Sequence, residues 1–354
     1  MKSICFLAQF PPPMHGLSKA VDTLYNSRLK EKYHFFKIDI TNNKRIFKSL
    51  IDLWKCKSDV VYFTPSQTRG GNLRDLVFLK VIQWRNKKCI VHIHGGYYRQ
   101  LIDHDVPSWQ RKMNYQAVRR LAGGIVLGHS LHSIFEGMLP DDRIFVCPNC
   151  VDDVFIAPSV DEKINKIKDG GALHILYLSN FIESKGYREV LELAKLAANR
   201  GDSEKFVFHF AGKFFDPAEQ TYFEEHSKEL PNVVYHGIVG GQDKVDLLNQ
   251  CHLFSLLSRY PNEGQPISIL EAMGNGMAII TTDHAGILEI ASHENGFACS
   301  KQHIDVNDIY GYLLDCYEHR EKLVTVCKLN YQVVKEKYTE RQYIDNMDKI
   351  FEQL

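Results

Sequence analysis

The run Glu263-Gly264-Gln265-Pro266-Ile267-Ser268-Ile269-Leu270-Glu271-Ala272-Met273-Gly274-Asn275-Gly276 decides how this chain is read. Two carboxylates stand eight positions apart. Gly264 and Pro266 follow the first, and a turn of small residues follows the second. Proline suits the first turn of a helix, where its missing N–H has no partner to lose. Glu263 is therefore expected in a loop at a helix N-terminus, with Glu271 about one and a half turns inside that helix. Ile267, Ile269, Leu270 and Met273 make the helix mostly apolar, which points to burial rather than to a surface element. The N–H groups at a helix N-terminus attract phosphate, and a carboxylate beside them can accept hydrogen bonds from hydroxyls. Diphosphate at one point and hydroxyls at the next is what a nucleotide sugar presents.

Outward from this run, strand-like and helix-like stretches alternate. Strands are expected at 3–8, 35–40, 59–64, 89–94, 124–127 and 144–147, then at 173–178, 206–211, 233–236, 253–257, 278–282 and 297–299. Val, Ile, Phe and Tyr dominate several of them with little polar alternation, as buried parallel strands require. Helical segments fall between them, for example 17–28 and 72–85. This alternation implies parallel sheets with right-handed crossovers. The pattern breaks at 151–171, a polar stretch with Pro158 and Gly170-Gly171 that reads as a linker between two mononucleotide-type units. The tail from 306 reads as three helical segments.

The chain has 354 residues, 44% of them hydrophobic, which suits two globular domains of ordinary size. No apolar run approaches the roughly 18–20 residues of a membrane span. Residues 1–10 run into Pro11-Pro12-Pro13 without a small-residue cleavage site, so a first strand is expected rather than a signal peptide. Nine scattered cysteines point to reduced thiols in the cytoplasm. Net charge is zero, yet residues 1–150 hold 23 Lys and Arg against 11 Asp and Glu, and the remainder holds 20 against 32. The basic half clusters at Lys44-Arg45-Lys48, Lys55-Lys57, Arg85-Lys87-Lys88, Arg111-Lys112 and Arg119-Arg120. A solvated face is one reading, and attraction to an anionic membrane surface is the other. No recognition motif accompanies the charge, so nucleic acid is not expected.

The run from 258 to 281 resembles the E-x7-E signature of the retaining glycosyltransferases of family 4. It has the long form S-x4-E-G-x-P-x4-E-A-M-x-x-G followed by a β-rich run. The resemblance implies the GT-B fold: α/β, with two Rossmann-like domains facing across a cleft and a C-terminal helix crossing back to the N-terminal domain. On that model, residues 1–155 form an acceptor-side domain and 156–335 a nucleotide-sugar-binding domain. Residues 336–354 form the returning helix. Glu263 would then stand against donor-sugar hydroxyls and Glu271 near the ribose. Gly264, Gln265, Pro266 and Ile267 would complete the donor-binding stretch.

Three further stretches fit that resemblance in part. Lys185-Gly186 matches a basic pair that contacts the donor diphosphate, while Asn180 stands where the family has an arginine. Lys185 would act as a point charge on the leaving phosphate, and Asn180 would offer hydrogen bonds without charge. Gly16 resembles the second glycine of the family's N-terminal loop, with His15 in place of the first. A plain turn is the other reading there. His94 matches the histidine near the donor sugar and acceptor. His92 lies on the same strand face as His94, but no third ligand of suitable spacing accompanies them, and no metal is expected. Cys147-Pro148-Asn149-Cys150 resembles the family hinge rather than a redox motif, and Asp103-His104-Asp105 reads as a polar loop before a helix.

The expected activity is that of a retaining, metal-independent hexosyltransferase without a cofactor. It would move sugar from a nucleotide-diphospho-sugar to a glycan or lipid-linked acceptor in cell-surface polysaccharide synthesis. It would be cytoplasmic, at the inner face of the cell membrane. The competing readings are a non-catalytic or weakly active nucleotide-sugar-binding protein and a GT-B epimerase or phosphorylase. A sugar-binding protein built of two similar domains is a more distant rival.

Overall fold

A run of apolar residues between polar breaks makes a buried strand, and the first such run is β1 (Ser3–Ala8), buried from Ile4 onward. The computed structural model describes residues 1–13 and 16–354, so Met14 and His15 lie outside the described residues. Contacts divide the chain into two compact units. The first holds Met1–Cys150, Pro261–Gln265 and Glu340–Leu354; the second holds Val151–Tyr260 and Pro266–Thr339.

In the first unit β1 is followed by α1 (Gly16–Tyr25), β2 (His34–Asp39), α2 (Ile46–Lys55), β3 (Val60–Phe63), α3 (Arg69–Trp84) and β4 (Lys88–His92). Then come α4 (Ser108–Val118), β5 (Gly123–Val126) and β6 (Ile144–Val146). The six strands form one parallel sheet in the order β2-β1-β3-β4-β5-β6. Strand alternation sends Ile4, Phe6, Tyr62, Ile90 and Ile125 into one core. Val21 and Leu24 of α1 fill that core together with Tyr343, Met347 and Phe351 from the last helix of the chain. Phe63 meets Phe78 of α3 edge-on at 6.3 Å. Helix α3 packs against both α2 and α4, and Leu53, Phe78, Ile82 and Val118 are buried within this helical layer.

The second unit opens with α5 (Asp161–Asp169), β7 (Leu173–Leu178), α6 (Tyr187–Asn199), β8 (Phe206–Ala211), α7 (Pro217–Ser227), β9 (Val233–Tyr235) and α8 (Gly241–Gln250). It continues through β10 (Leu253–Leu256), α9 (Ile267–Gly274), β11 (Ala278–Thr282) and β12 (Gly296–Cys299) to α10 (Val306–Glu318) and α11 (Arg320–Lys337). Its sheet is again six-stranded and parallel, in the order β12-β11-β10-β7-β8-β9. The final helix, α12 (Glu340–Gln353), belongs to the first unit.

One sequence expectation needs correction. Residues 151–171 are not a bare linker, because α5 occupies 161–169. Ile164 and Ile167 lie three apart and are buried with Val160 in the core of the second unit. Lys163 is buried too, its Nζ donating to the Leu248 carbonyl at 2.7 Å, and burial brings its pKa down to about 8. Six charged residues in nine hid a helix whose one narrow apolar edge is enough to dock it.

Candidate functional site

Open α/β sheets bind ligands beyond the strand C-terminal ends, where the strand order reverses. In the second sheet that point lies between β7 and β10. The loop after β7 carries Asn180 and Lys185, and the loop after β10 carries Ser258, Arg259 and Tyr260. The Arg259 N–H donates to the Ser184 carbonyl at 2.6 Å and ties the two loops together. Gly186 holds φ +82°, and a Cβ there would come 2.4 Å from the Leu257 carbonyl oxygen. Only glycine lets the chain turn left-handed this close to the neighbouring loop and open α6 at Tyr187.

The turn sets Lys185 so that its Nζ lies 4.9 Å from the centre of the Tyr260 ring, within cation–π range. Arg259 pairs with Glu189 of α6. Asn180 is exposed, and its backbone carbonyl accepts from Tyr177 Oη at 2.8 Å and from the Ile182 N–H at 3.0 Å. Ile182, Glu183, Ser184, Asp216, Glu219 and Arg259 border a cavity of about 370 Å³ beside this turn. A larger hollow of about 450 Å³, with His174 and His252 on its wall, sits at the opposite, N-terminal edge of β7. The strand polarity of such sheets makes the former the chemically relevant one.

Helix α9 follows the same topology. Pro266 is its N-cap residue and Ile267 its first residue, one position later than the sequence suggested. Ile269, Leu270 and Met273 are buried, as an apolar helix demands. Glu271 is also buried, and its carboxylate takes Lys244 of α8 at 2.6 Å. Lys244 in turn lies 4.1 Å from the Phe155 ring centre.

The E-x7-E run is thus shared between the two units. Glu263, Gly264 and Gln265 pack with the first unit, whereas Pro266, Ile267 and Glu271 pack with the second. Within the first unit, residues 261–265 lie against the turn that follows β4. The Gly96 N–H donates to the Glu263 carbonyl at 2.7 Å. A Cβ on Gly264 would stand 2.7 Å from the His94 carbonyl oxygen, so close approach dictates glycine here. Asn149 clamps the segment twice. Its N–H donates to Gln265 Oε1 at 3.2 Å, and its Nδ2 donates to the Gln265 carbonyl at 2.9 Å. Gln67 Oε1 accepts the Tyr97 N–H at 2.8 Å on the other side of the turn.

His94 and Glu263 therefore belong to one local assembly of the first unit, while Lys185, Asn180 and Glu271 belong to the second unit. His92 lies against His94 with ring centres 3.9 Å apart and planes tilted by 34°, and it shares a 2.7 Å hydrogen bond between Nδ1 and Tyr62 Oη. Burial, followed by the neighbouring His94, pushes the His92 pKa well down, so this imidazole is neutral. Gly16 opens α1 and is exposed; its neighbour His15 lies outside the described residues. Asp103, expected in a polar loop, lies instead in a helical turn (Leu101–Asp105) and accepts from Arg99, from Tyr115 at 2.9 Å and from Arg111 at 3.3 Å. The sequence offered no sign of Gln67, Tyr260 or Lys244. Asn149 was visible only as part of a hinge. Each acts on a segment far away in the chain, and no local pattern encodes that. Among the described residues no cluster of three or more His, Cys, Asp or Glu is placed to hold a metal ion.

Residues 159–326 match the family model for glycosyl transferases group 1. No curated protein matches the chain. Solved structures resemble it over its whole length. Anabaena HepE in complex with UDP-glucose superposes with a TM-score of 0.73 at 14% identity, covering 100% of both chains. A glycosyltransferase from Rickettsia africae gives 0.73 at 14%, covering 99% of this chain and 98% of its own. Sucrose-phosphate synthase from Thermosynechococcus elongatus gives 0.72 at 14%, covering 100% and 99%. The likeness shows the fold: two Rossmann-like domains of the GT-B class.

Proposed function

We propose that the chain is a retaining glycosyltransferase that moves sugar from a nucleotide-diphospho-sugar to a hydroxyl of a glycan or lipid-linked acceptor. The observation that carries this reading is the loop pair at the switch point of the second sheet. A left-handed glycine turn and the 2.6 Å hydrogen bond between Arg259 and Ser184 hold Lys185 there. The match of residues 159–326 to glycosyl transferases group 1 supports the reaction class, and the UDP-glucose bound to HepE supports the donor class.

In this reading Lys185 and the N-terminus of α9 face the donor diphosphate and stabilise the charge that grows on it as the sugar departs. Glu263 accepts hydrogen bonds from donor-sugar hydroxyls, and His94 orients the same end. Glu271, held by Lys244, receives the ribose. None of these carboxylates is assigned to attack the anomeric carbon, so retention proceeds by front-face departure. The C–O bond to the diphosphate breaks, the acceptor oxygen bonds to the same face, and the leaving oxygen takes the acceptor's proton. No metal or cofactor is assigned. The proposed reaction belongs to cell-surface polysaccharide synthesis at the cytoplasmic membrane face; the basic half of the chain, which suits an anionic surface and a lipid-linked acceptor, supports this reading. Asn180, where the resembled family has an arginine, favours one alternative: a weakly active homologue that binds nucleotide sugar.

Substitution tests the assignment. Lys185→Ala and Glu263→Ala should each lower turnover at least about tenfold, or roughly 1.4 kcal/mol of transition-state stabilisation. Circular dichroism should stay unchanged. Near-normal rates in both variants would remove the assigned roles.

A further inference from the structure

Three helices of the first unit expose outward stripes of apolar side chains. On α2, Phe47, Ile51 and Trp54 are exposed at spacings of four and three, and Phe47 is 78% exposed. This spacing marks one face of a helix. On α3, Leu73, Val77 and Trp84 repeat the pattern, with Trp84 66% exposed. On α4, Trp109 and Met113 do the same one turn apart. Helix α3 packs against both of its neighbours, so the stripes lie on adjoining helices. The chain has three tryptophans, and all three are here. These helices already bury Leu53, Phe78, Ile82 and Val118 on their inner sides. Each is therefore apolar on two sides, which core packing does not require. A shallow groove of about 310 Å³ runs along Leu73, Val77, Trp84 and Met113. Contiguous exposed apolar surface on this scale marks an interaction site.

The rim of the patch is basic. Segments 42–57, 69–88 and 108–120 hold fifteen Lys and Arg against two Asp. Asp75 is buried against Arg74 at 2.8 Å, which leaves Asp52 as the one exposed acid in these segments. Cations and rings interleave. The Arg85 guanidinium lies 5.3 Å from the Trp54 ring centre, and Lys80 Nζ lies 5.5 Å from that of Trp84. Tryptophan, apolar on its face and polar at its N–H, settles where hydrocarbon meets water. Lysine and arginine lay their stems along apolar surface and keep their charge at the headgroups.

We propose that α2, α3 and α4 form a membrane-docking face that lies on an anionic bilayer. Phe47 and the three tryptophans enter the boundary between headgroups and acyl chains, and the basic rim meets lipid phosphates. Charge selects this occupant. A second copy meeting the first through the same patch would bring one basic rim onto another, because such contacts are self-complementary. An anionic surface neutralises both the rim and the approach. This sharpens the membrane side of the proposed function. It is tested separately, since vesicle binding needs no donor and no turnover.

The three tryptophans make the intrinsic fluorescence of the full chain a report on this face alone. Adding phosphatidylglycerol vesicles should shift the emission to the blue. Lipids brominated near the headgroup end of the acyl chain should quench it more than lipids brominated near the methyl end. Phosphatidylcholine vesicles should bind at least tenfold more weakly. Trp54→Ser with Trp84→Ser should weaken vesicle binding at least tenfold and leave nucleotide-sugar turnover in detergent unchanged. Arg85→Glu with Lys48→Glu should do the same without altering any exposed aromatic. Emission unchanged by either lipid would overturn the proposal, as would vesicle affinity unaffected by both double variants. Concentration-dependent dimerisation that the tryptophan variant abolishes, with no vesicle binding, would assign the face to a second copy instead.

Discussion

Gly186 shows how much one residue decides. Its φ of +82° and the 2.4 Å approach of a would-be Cβ to the Leu257 carbonyl leave no room for a side chain. Gly186→Ala should destabilise the protein by about 1–2 kcal/mol from the left-handed backbone alone, and more from the contact. It should also displace Lys185, so donor turnover should fall with stability; a variant with wild-type melting and turnover would contradict this. His209 makes a second point. It is buried in β8 between His174 and His236, each at 2.8 Å, and burial followed by these neighbours brings its pKa from the ordinary 6.5 to about 4. The unfolded chain therefore binds more protons than the folded one between those values. The associated stability is complete above pH 6.5 and is lost as pH falls towards 4. Unfolding free energies measured across that window should fall with acid, and less so in His209→Leu; parallel slopes would refute the assignment. Lys185, Gly186 and Glu263 stood out in the sequence as candidates because their neighbours in the chain form a pattern. Lys244, Gln67 and Tyr260 were not, because their partners are brought to them only by folding.

At the scale of elements the sequence was most legible where burial is continuous. The runs expected as strands at 3–8, 173–178, 206–211 and 278–282 are β1, β7, β8 and β11 to the residue. Most of the others shift by one or two positions at their ends, where hydrogen bonding rather than composition sets the boundary. Helix α5 escaped because charge masked its apolar edge. The last helix was expected to pack back on the N-terminal domain, and Glu340–Leu354 belong to the first unit; the individual residues it buries came from the fold. Phe351 of α12 is fully buried between Phe6, Tyr33 and Tyr62, with ring centres 5.8–6.5 Å away. Phe351→Ala should cost about 3–5 kcal/mol, close to the whole stability of many domains. A chemical denaturation midpoint unchanged by the substitution would show that α12 is not part of the first unit's core.

At the scale of the molecule, the charge split was plain in the sequence, but the apolar patch was not. Phe47, Trp54, Trp84 and Trp109 look like ordinary core residues until the helices are seen to bury their other sides. The division of the E-x7-E run between two units was likewise invisible, since nothing in these nine residues announces that contacts change allegiance at Pro266. Among the described residues no helix is long and apolar enough to cross a membrane. The central claim is that this chain transfers sugar from a nucleotide-diphospho-sugar. The most direct measurement is release of nucleoside diphosphate from a panel of nucleotide sugars, with and without a lipid-linked glycan fraction as acceptor. The account predicts that at least one donor gives slow release alone and release at least about tenfold faster with acceptor, together with a mass shift of one sugar on the acceptor. Tight binding of a nucleotide sugar with no release under any condition would contradict it and leave a binding protein in its place.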